Sequence, residues 1–121
     1  MPGQTPAGGQ PRVSQVKAEL FRVLGHPARV RILELLRDGE RTVGDLQQAL
    51  GLDASSTSQH LAALRNRDVV VARREGKNVF YEIKDPRIAE LLEVARQLIT
   101  TSIEDSQSLL AQLAEPEPGI E

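Results

Sequence analysis

The chain contains no cysteine. That excludes disulfides, thiolate-bound metal and thiol redox sensing, because each needs a sulfur nucleophile or ligand. Tryptophan is also absent, and the aromatics amount to two phenylalanines and one tyrosine. Single-strand-binding surfaces stack bases on aromatic rings, so the composition argues against that class of nucleic-acid binder. No apolar run approaches the length of a membrane span, and no signal peptide opens the sequence. A soluble, cytoplasmic protein with no membrane partner is therefore expected. Neither a Gly-rich phosphate loop nor a Ser/His/Asp or Cys nucleophile arrangement occurs, which argues against an enzyme.

What is present is enough for one domain. Apolar residues make up 40% of 121, chiefly Leu, Val, Ile and Ala. The net charge of −2 hides a division. Residues 1–84 hold 13 Lys and Arg against 9 Asp and Glu, whereas residues 85–121 hold 2 against 8. The body of the chain is basic and its C-terminal segment acidic, and this asymmetry says more about partners than the total does.

Residues 1–13, with three Pro and three Gly, read as a disordered tail. Ser14 is placed to cap a helix through Leu24, with Val16, Leu20, Val23 and Leu24 as its buried stripe and Gly25 as its end. Pro27 suits the first turn of a second helix over Ala28–Arg37, where Val30, Leu33 and Leu36 keep the helical period. Asp38-Gly39 stops it. Thr42-Val43 leads into or caps a third helix through Leu50, Gly51 makes a tight turn, and Asp53 caps a fourth. In that fourth helix Thr57, Leu61 and Leu64 share one side. The opposite side carries Ser55, Ser56, Gln59, Ala63 and Asn66, with no large apolar group and no acid. Such a face fits a major groove, where hydroxyls and amides reach base edges.

From Val69 the period changes. Val69–Arg73 and Asn78–Ile83 are β-prone, and Arg74-Glu75-Gly76-Lys77 supplies the turn between them. A basic hairpin directly after a helix-turn-helix reads as a DNA wing. Asp85-Pro86 then opens a terminal helix over 86–114, in one piece or in two joined at Thr100-Thr101-Ser102. Its apolar stripe needs a partner, and a second copy of the same helix is the simplest. Val16, Leu20, Leu91, Ala95, Leu98, Ile99, Ser102 and Leu109 are the expected dimer contacts. Residues 115–121 read as a frayed acidic end. The expected fold class is thus mainly α with a small β-hairpin: a winged helix-turn-helix over 14–114, dimerising through its terminal helices.

Ser55, Ser56, Ser58 and Gln59 are the candidates for base or nearby phosphate contacts. Arg65, Arg73, Arg74, Lys77 and Asn78 are those for phosphates and the wing's minor groove. The partners expected are double-stranded promoter DNA and a second copy of the chain. The rival reading is an interaction module whose DNA contact depends on a second regulatory protein docked on the C-terminal stripe.

Three stretches carry a family resemblance. They are Phe21-Arg22-Val23-Leu24-Gly25-His26-Pro27-Ala28-Arg29-Val30-Arg31-Ile32-Leu33, Ser55 through Arg65 with its Ser58-Gln59-His60-Leu61, and Arg73-Arg74-Glu75-Gly76-Lys77 through Tyr81. In this order, over roughly residues 17–100, the chain resembles the ArsR/SmtB winged-helix repressors. The resemblance implies a homodimer that binds an inverted repeat in promoter DNA and is released or retuned by an inducer. Metal sensors of that family often carry two thiols before the recognition unit. Here Glu40-Arg41-Thr42-Val43-Gly44-Asp45-Leu46 has Thr42 and Gly44 at those places, and no histidine follows His60. What is left for a divalent metal such as nickel or zinc is His26 as a nitrogen ligand and the carboxylates Glu90, Glu93, Glu104 and Asp105. His60 lies near the core face of its helix and is expected to be half-buried and hydrogen-bonded.

Overall fold

A computed structural model describes residues 12–114. Of the expected tails at 1–13 and 115–121, residues 1–11 and 115–121 lie outside the described residues, whereas Arg12 and Val13 are not tail but the cap and first residue of the first helix. The elements in order are α1 (Val13–Leu24), α2 (Pro27–Leu36), β1 (Arg41–Thr42), α3 (Val43–Leu50), α4 (Ala54–Asn66), β2 (Val70–Glu75), β3 (Asn78–Ile83) and α5 (Arg87–Ala114).

Each short helix begins where a side chain can meet the unpaired N–H groups of its first turn. In α1 the acceptor is Gln15 Oε1, 3.0 Å from the Arg12 amide. The cap position is therefore Arg12, and Ser14 lies inside the first turn rather than at the boundary. Helix α2 has Pro27 at its start, and His26 Nδ1 accepts from the Ala28 amide at 3.1 Å. Thr42 Oγ1 accepts from the Asp45 amide to open α3, and the Asp53 carboxylate accepts from the Ser56 amide at 2.7 Å to open α4. Between these two helices Gly51 takes a left-handed φ of 67°, and its N–H donates to the carbonyls of Gln47 and Gln48. The turn at Gly51 and the cap at Asp53 match the sequence reading.

These helices converge on one core of Val23, Leu24, Ile32, Leu33, Leu36, Leu46, Leu61, Leu64, Val69 and Val70. Helix α2 contributes Ile32 as well as Leu33 and Leu36, whereas Val30 is only half-buried. Contacts with α1, α3, α4 and β3 surround α2, so its buried face is wider than a single stripe. Thr57 is fully buried in α4, and its hydroxyl donates to the Asp53 carbonyl at 2.9 Å. A buried polar group is thereby satisfied.

The sheet has three strands, not the two of a simple hairpin, in the order β1-β3-β2 and antiparallel throughout. Arg41 and Thr42 pair with Tyr81 and Phe80, and the Arg41 Nε donates to the Leu35 carbonyl at 2.8 Å. In the wing Arg74 pairs with Val79 and Glu75 with Asn78. Both therefore belong to the strand, and the turn shrinks to Gly76-Lys77. Gly76 sits at φ 62°, the conformation that the first central position of a tight hairpin turn requires.

The chain divides into two compact units, the first ending at Ala89 and the second beginning at Glu90. Helix α5 crosses that boundary as one unbroken helix of 28 residues, about 42 Å long. Thr100-Thr101-Ser102 does not interrupt it. No residue of α5 is buried, and Val94, Leu98, Ile99, Ile103, Leu109, Leu110 and Leu113 are 50–74% exposed. Among the described residues, no helix is long and apolar enough to cross a membrane.

Candidate nucleic-acid interface

Helix α4 presents two different faces. Thr57, Leu61 and Leu64 have no exposed surface, while Ser55, Ser58, Gln59 and Arg65 are exposed. Ser56 differs from its neighbours. It is half-buried, and both its amide and its hydroxyl donate to Asp53, which holds that carboxyl below its usual range. Ser56 thus works first as part of the helix cap. The accessible polar set at this end of α4 is Ser55, Ser58 and Gln59.

The wing cations separate in the same way. Arg73 Nη2 lies 2.6 Å from Glu40, Nη1 bonds Glu75, and the guanidinium stands 4.8 Å over the Phe80 ring. These partners raise its affinity for a proton, the Glu75 bond first and the Glu40 bond next. Arg73 therefore ties the wing to the segment before β1. Arg74 projects on the other face of β2, since side chains alternate along a strand. Arg74, Lys77 and Asn78 are all exposed. Among the described residues no side-chain hydrogen bond or ion pair holds Arg65, Arg74 or Lys77, and these cations are free to meet phosphate.

Behind α4 lies a cluster that the sequence did not predict. Arg29 Nε donates to His60 Nδ1 at 3.3 Å, and its Nη1 donates to the Val23 carbonyl at 3.4 Å. The rings of His26 and His60 stand 4.4 Å apart, tilted by 50°. His60 is half-buried and hydrogen-bonded, as expected from its place on the helix. Its proton affinity is lowered by burial first, then by repulsion from His26 and Arg29.

Among the described residues, one chain does not gather a donor set for a resident metal ion. No thiolate exists, His26 Nδ1 is occupied by the Ala28 amide, and no group of three His, Asp or Glu converges among the described residues. His26 caps α2 through Nδ1. Glu90 and Glu104 are exposed along α5, as is Asp105, and Glu93 pairs with Arg96 at 2.7 Å.

Comparison with known proteins agrees with this architecture. Residues 26–71 match the description "Bacterial regulatory protein, arsR family". The chain is 47% identical over 100 residues to the HTH-type transcriptional regulator Rv0081 of Mycobacterium tuberculosis, covering 82% of this chain and 88% of that one. A crystal structure of Rv0081 superposes with a TM-score of 0.74 at 46% identity, over 80% of this chain and 98% of the other. A solution structure of Mb0332 from Mycobacterium bovis is described as a homodimeric winged helix-turn-helix DNA-binding domain. It gives a TM-score of 0.72 at 30% identity, over 87% and 95% of the two chains. A probable mercury resistance operon repressor of Streptomyces lividans is 38% identical over 81 residues, 67% of this chain and 65% of its own. The fold and these relatives are those of regulators, not enzymes, and the chain belongs to the ArsR family of bacterial transcriptional regulators.

Proposed function

We propose that the protein is a homodimeric repressor that binds an inverted repeat in promoter DNA, in the cytoplasm, through α4 and the wing. The observation that carries this reading is the split of α4. A fully buried stripe fixes the helix on the body, and Ser55, Ser58 and Gln59 stand clear on the other side. These groups discriminate bases, while Arg65, Arg74, Lys77 and Asn78 hold phosphates and give the binding its salt dependence. Ser56 and Arg73 serve the same surface by shaping it, the first through the cap and the second through the wing's ion pairs.

Dimerisation is supported by the exposed stripe of α5, on which Leu98, Ile99 and Leu109 lie with Ala95 and Ser102 and with Leu91 half-covered. On α1, Val16 is exposed and Leu20 half-buried, so both are open to a partner. So much apolar surface on one long helix calls for a second copy. The homodimeric description of the Mb0332 domain agrees with that occupant. A divalent ion such as nickel or zinc would be held by exposed carboxylates such as Glu104 and Asp105.

The test is binding of the purified protein to its own upstream DNA, with salt titrated and with Ni²⁺, Zn²⁺ or Co²⁺ present or absent. Tight, steeply salt-dependent binding by a dimer is the expected result. Binding that appears only on addition of a second protein would replace this reading with a partner-dependent one. A shift with one metal would add a metal response to the repressor.

A further inference from the structure

The Arg29–His60–His26 cluster lies behind the DNA-facing side of α4, and its hydrogen bonds carry information about protons. An arginine N–H can only donate, so the His60 Nδ1 that receives it must be unprotonated. His26 Nδ1 accepts from the Ala28 amide. The His60 ring is therefore neutral with the hydrogen on Nε2. Protonating it would turn an acceptor into a donor facing another donor. It would also set an imidazolium 4.4 Å from a second imidazole, with a guanidinium bonded alongside.

The connections run through three helices. Arg29 takes the Val23 carbonyl at the end of α1 with one nitrogen and His60 in the middle of α4 with another. His26 caps the helix on which Arg29 stands. We propose that Arg29, His60 and His26 form a positioning unit that holds α4 in its DNA-binding pose only while the His60 imidazole is unprotonated. This rests on α4 being the DNA-reading helix.

No carboxylate offsets the positive charge that protonation would add. The neighbouring α1 offers Glu19, but Glu19 is bonded to Arg67 at 2.6 Å, and Arg22 lines the same cleft of about 330 Å³ with Arg29. Helix α3 offers Asp45, and β2 offers Arg73, Arg74 and Glu75. On α2 itself Glu34 pairs with Arg31. Burial, His26 and Arg29 all disfavour a proton on the His60 ring. Because the folded ring titrates below the ordinary 6.5, the unit is intact above that value and is lost as pH falls through the lower one.

The expected sign is unusual for a DNA-binding protein. Added positive charge by itself strengthens phosphate binding as pH falls. Loss of the positioning unit does the opposite. Operator affinity of the full chain should therefore fall as pH is lowered from about 7.5 through the depressed His60 value, by about tenfold once the ring is protonated, the scale of one lost hydrogen bond to a charged group. His60→Asn keeps an acceptor near the Nδ1 position and cannot take a proton. It should bind like the wild type at the higher pH and lose the fall at the lower one. Nitrogen-15 NMR of the free protein at the higher pH should find His60 as the Nε2–H tautomer, a readout independent of DNA.

Affinity that stays level or rises on acidification would overturn the proposal, as would a fall that persists in His60→Asn. An Nδ1–H tautomer of His60 would overturn it as well. The Nε2–H tautomer of His60, with no DNA binding at any pH, would instead remove the DNA reading and the positioning role with it.

Discussion

Thr57, Leu61 and Leu64 on α4 expose nothing, while Leu98, Ile99 and Leu113 on α5 expose more than half of themselves. Both stripes repeat at the same helical spacing, so period alone does not separate them. What differs is the cover. Helix α4 is packed by α1, α2, α3 and β2, whereas α5 has no buried residue at all. Charge divides the same way, basic in the body and acidic from residue 85 onward. A helical stripe states which face is apolar, and only the rest of the chain or a second chain states what lies against it.

The largest expected effect breaks this contrast directly. Leu61→Ala removes a fully buried side chain and should cost about 2–5 kcal/mol in urea unfolding, because a cavity adds to the lost transfer energy. Leu98→Ala should leave the unfolding of protein diluted to monomer nearly unchanged. It should raise the dimer dissociation constant measured by sedimentation. Equal losses of monomer stability in the two variants would mean that α5's stripe is covered within its own chain.

Next in size is Gln59→Ala on the exposed face of α4. If Gln59 makes a bidentate base contact, preference for the operator over a mutated half-site should fall by about 1–3 kcal/mol. Stability should hardly move, since the side chain is exposed. Competition binding with the two DNA duplexes measures this. An unchanged preference would shift sequence reading to Ser55 and Ser58.

Local chemistry explains which parts of this contrast were legible in the sequence. Asp53, Gly51 and the Thr57–Leu61–Leu64 spacing act within one or two turns, and each matches the structure. The Ser14 cap did not hold, because Gln15 can reach back to the Arg12 amide and so sets the boundary two residues earlier. Strand β1 was hidden because two residues show no periodicity, and only pairing with Phe80 and Tyr81 makes them a strand. Arg73 and Arg74 are adjacent and identical in type, yet Glu40 takes one and not the other. That pairing joins residues 33 apart in the chain. The Arg29–His60 bond spans 31 residues. Side-chain pairs of this kind leave no trace in local spacing, and they decide which candidate residues are free.

The two wing arginines therefore give a smaller but sharper test. Arg74→Ala should lower the slope of log affinity against log salt by about 1.8, because the bound dimer loses one phosphate contact from each protomer at about 0.9 apiece. Operator and non-specific DNA should be affected alike. Arg73→Ala should change that slope less and instead loosen the wing, seen as faster amide exchange in β2 and β3. Interchanged results would put Arg73 on the phosphate and Arg74 in the scaffold.

The smallest effect concerns the start of α5, where no burial helps. Asp85 accepts from the Arg87 amide at 3.0 Å, and its carboxylate pairs with the Arg87 guanidinium at 2.6 Å. The guanidinium bond first, and the amide bond next, lower its pKa from 3.8 to about 2. A carboxyl with a depressed pKa contributes stability above its unfolded value and loses it as pH falls through the folded one. The window is therefore about pH 4 down to about 2. Asp85→Asn keeps an acceptor for the amide but has no charge to lose, so its helicity by circular dichroism should decline less across that window. An identical decline in both proteins would mean that the first turn of α5 is held by something other than this cap.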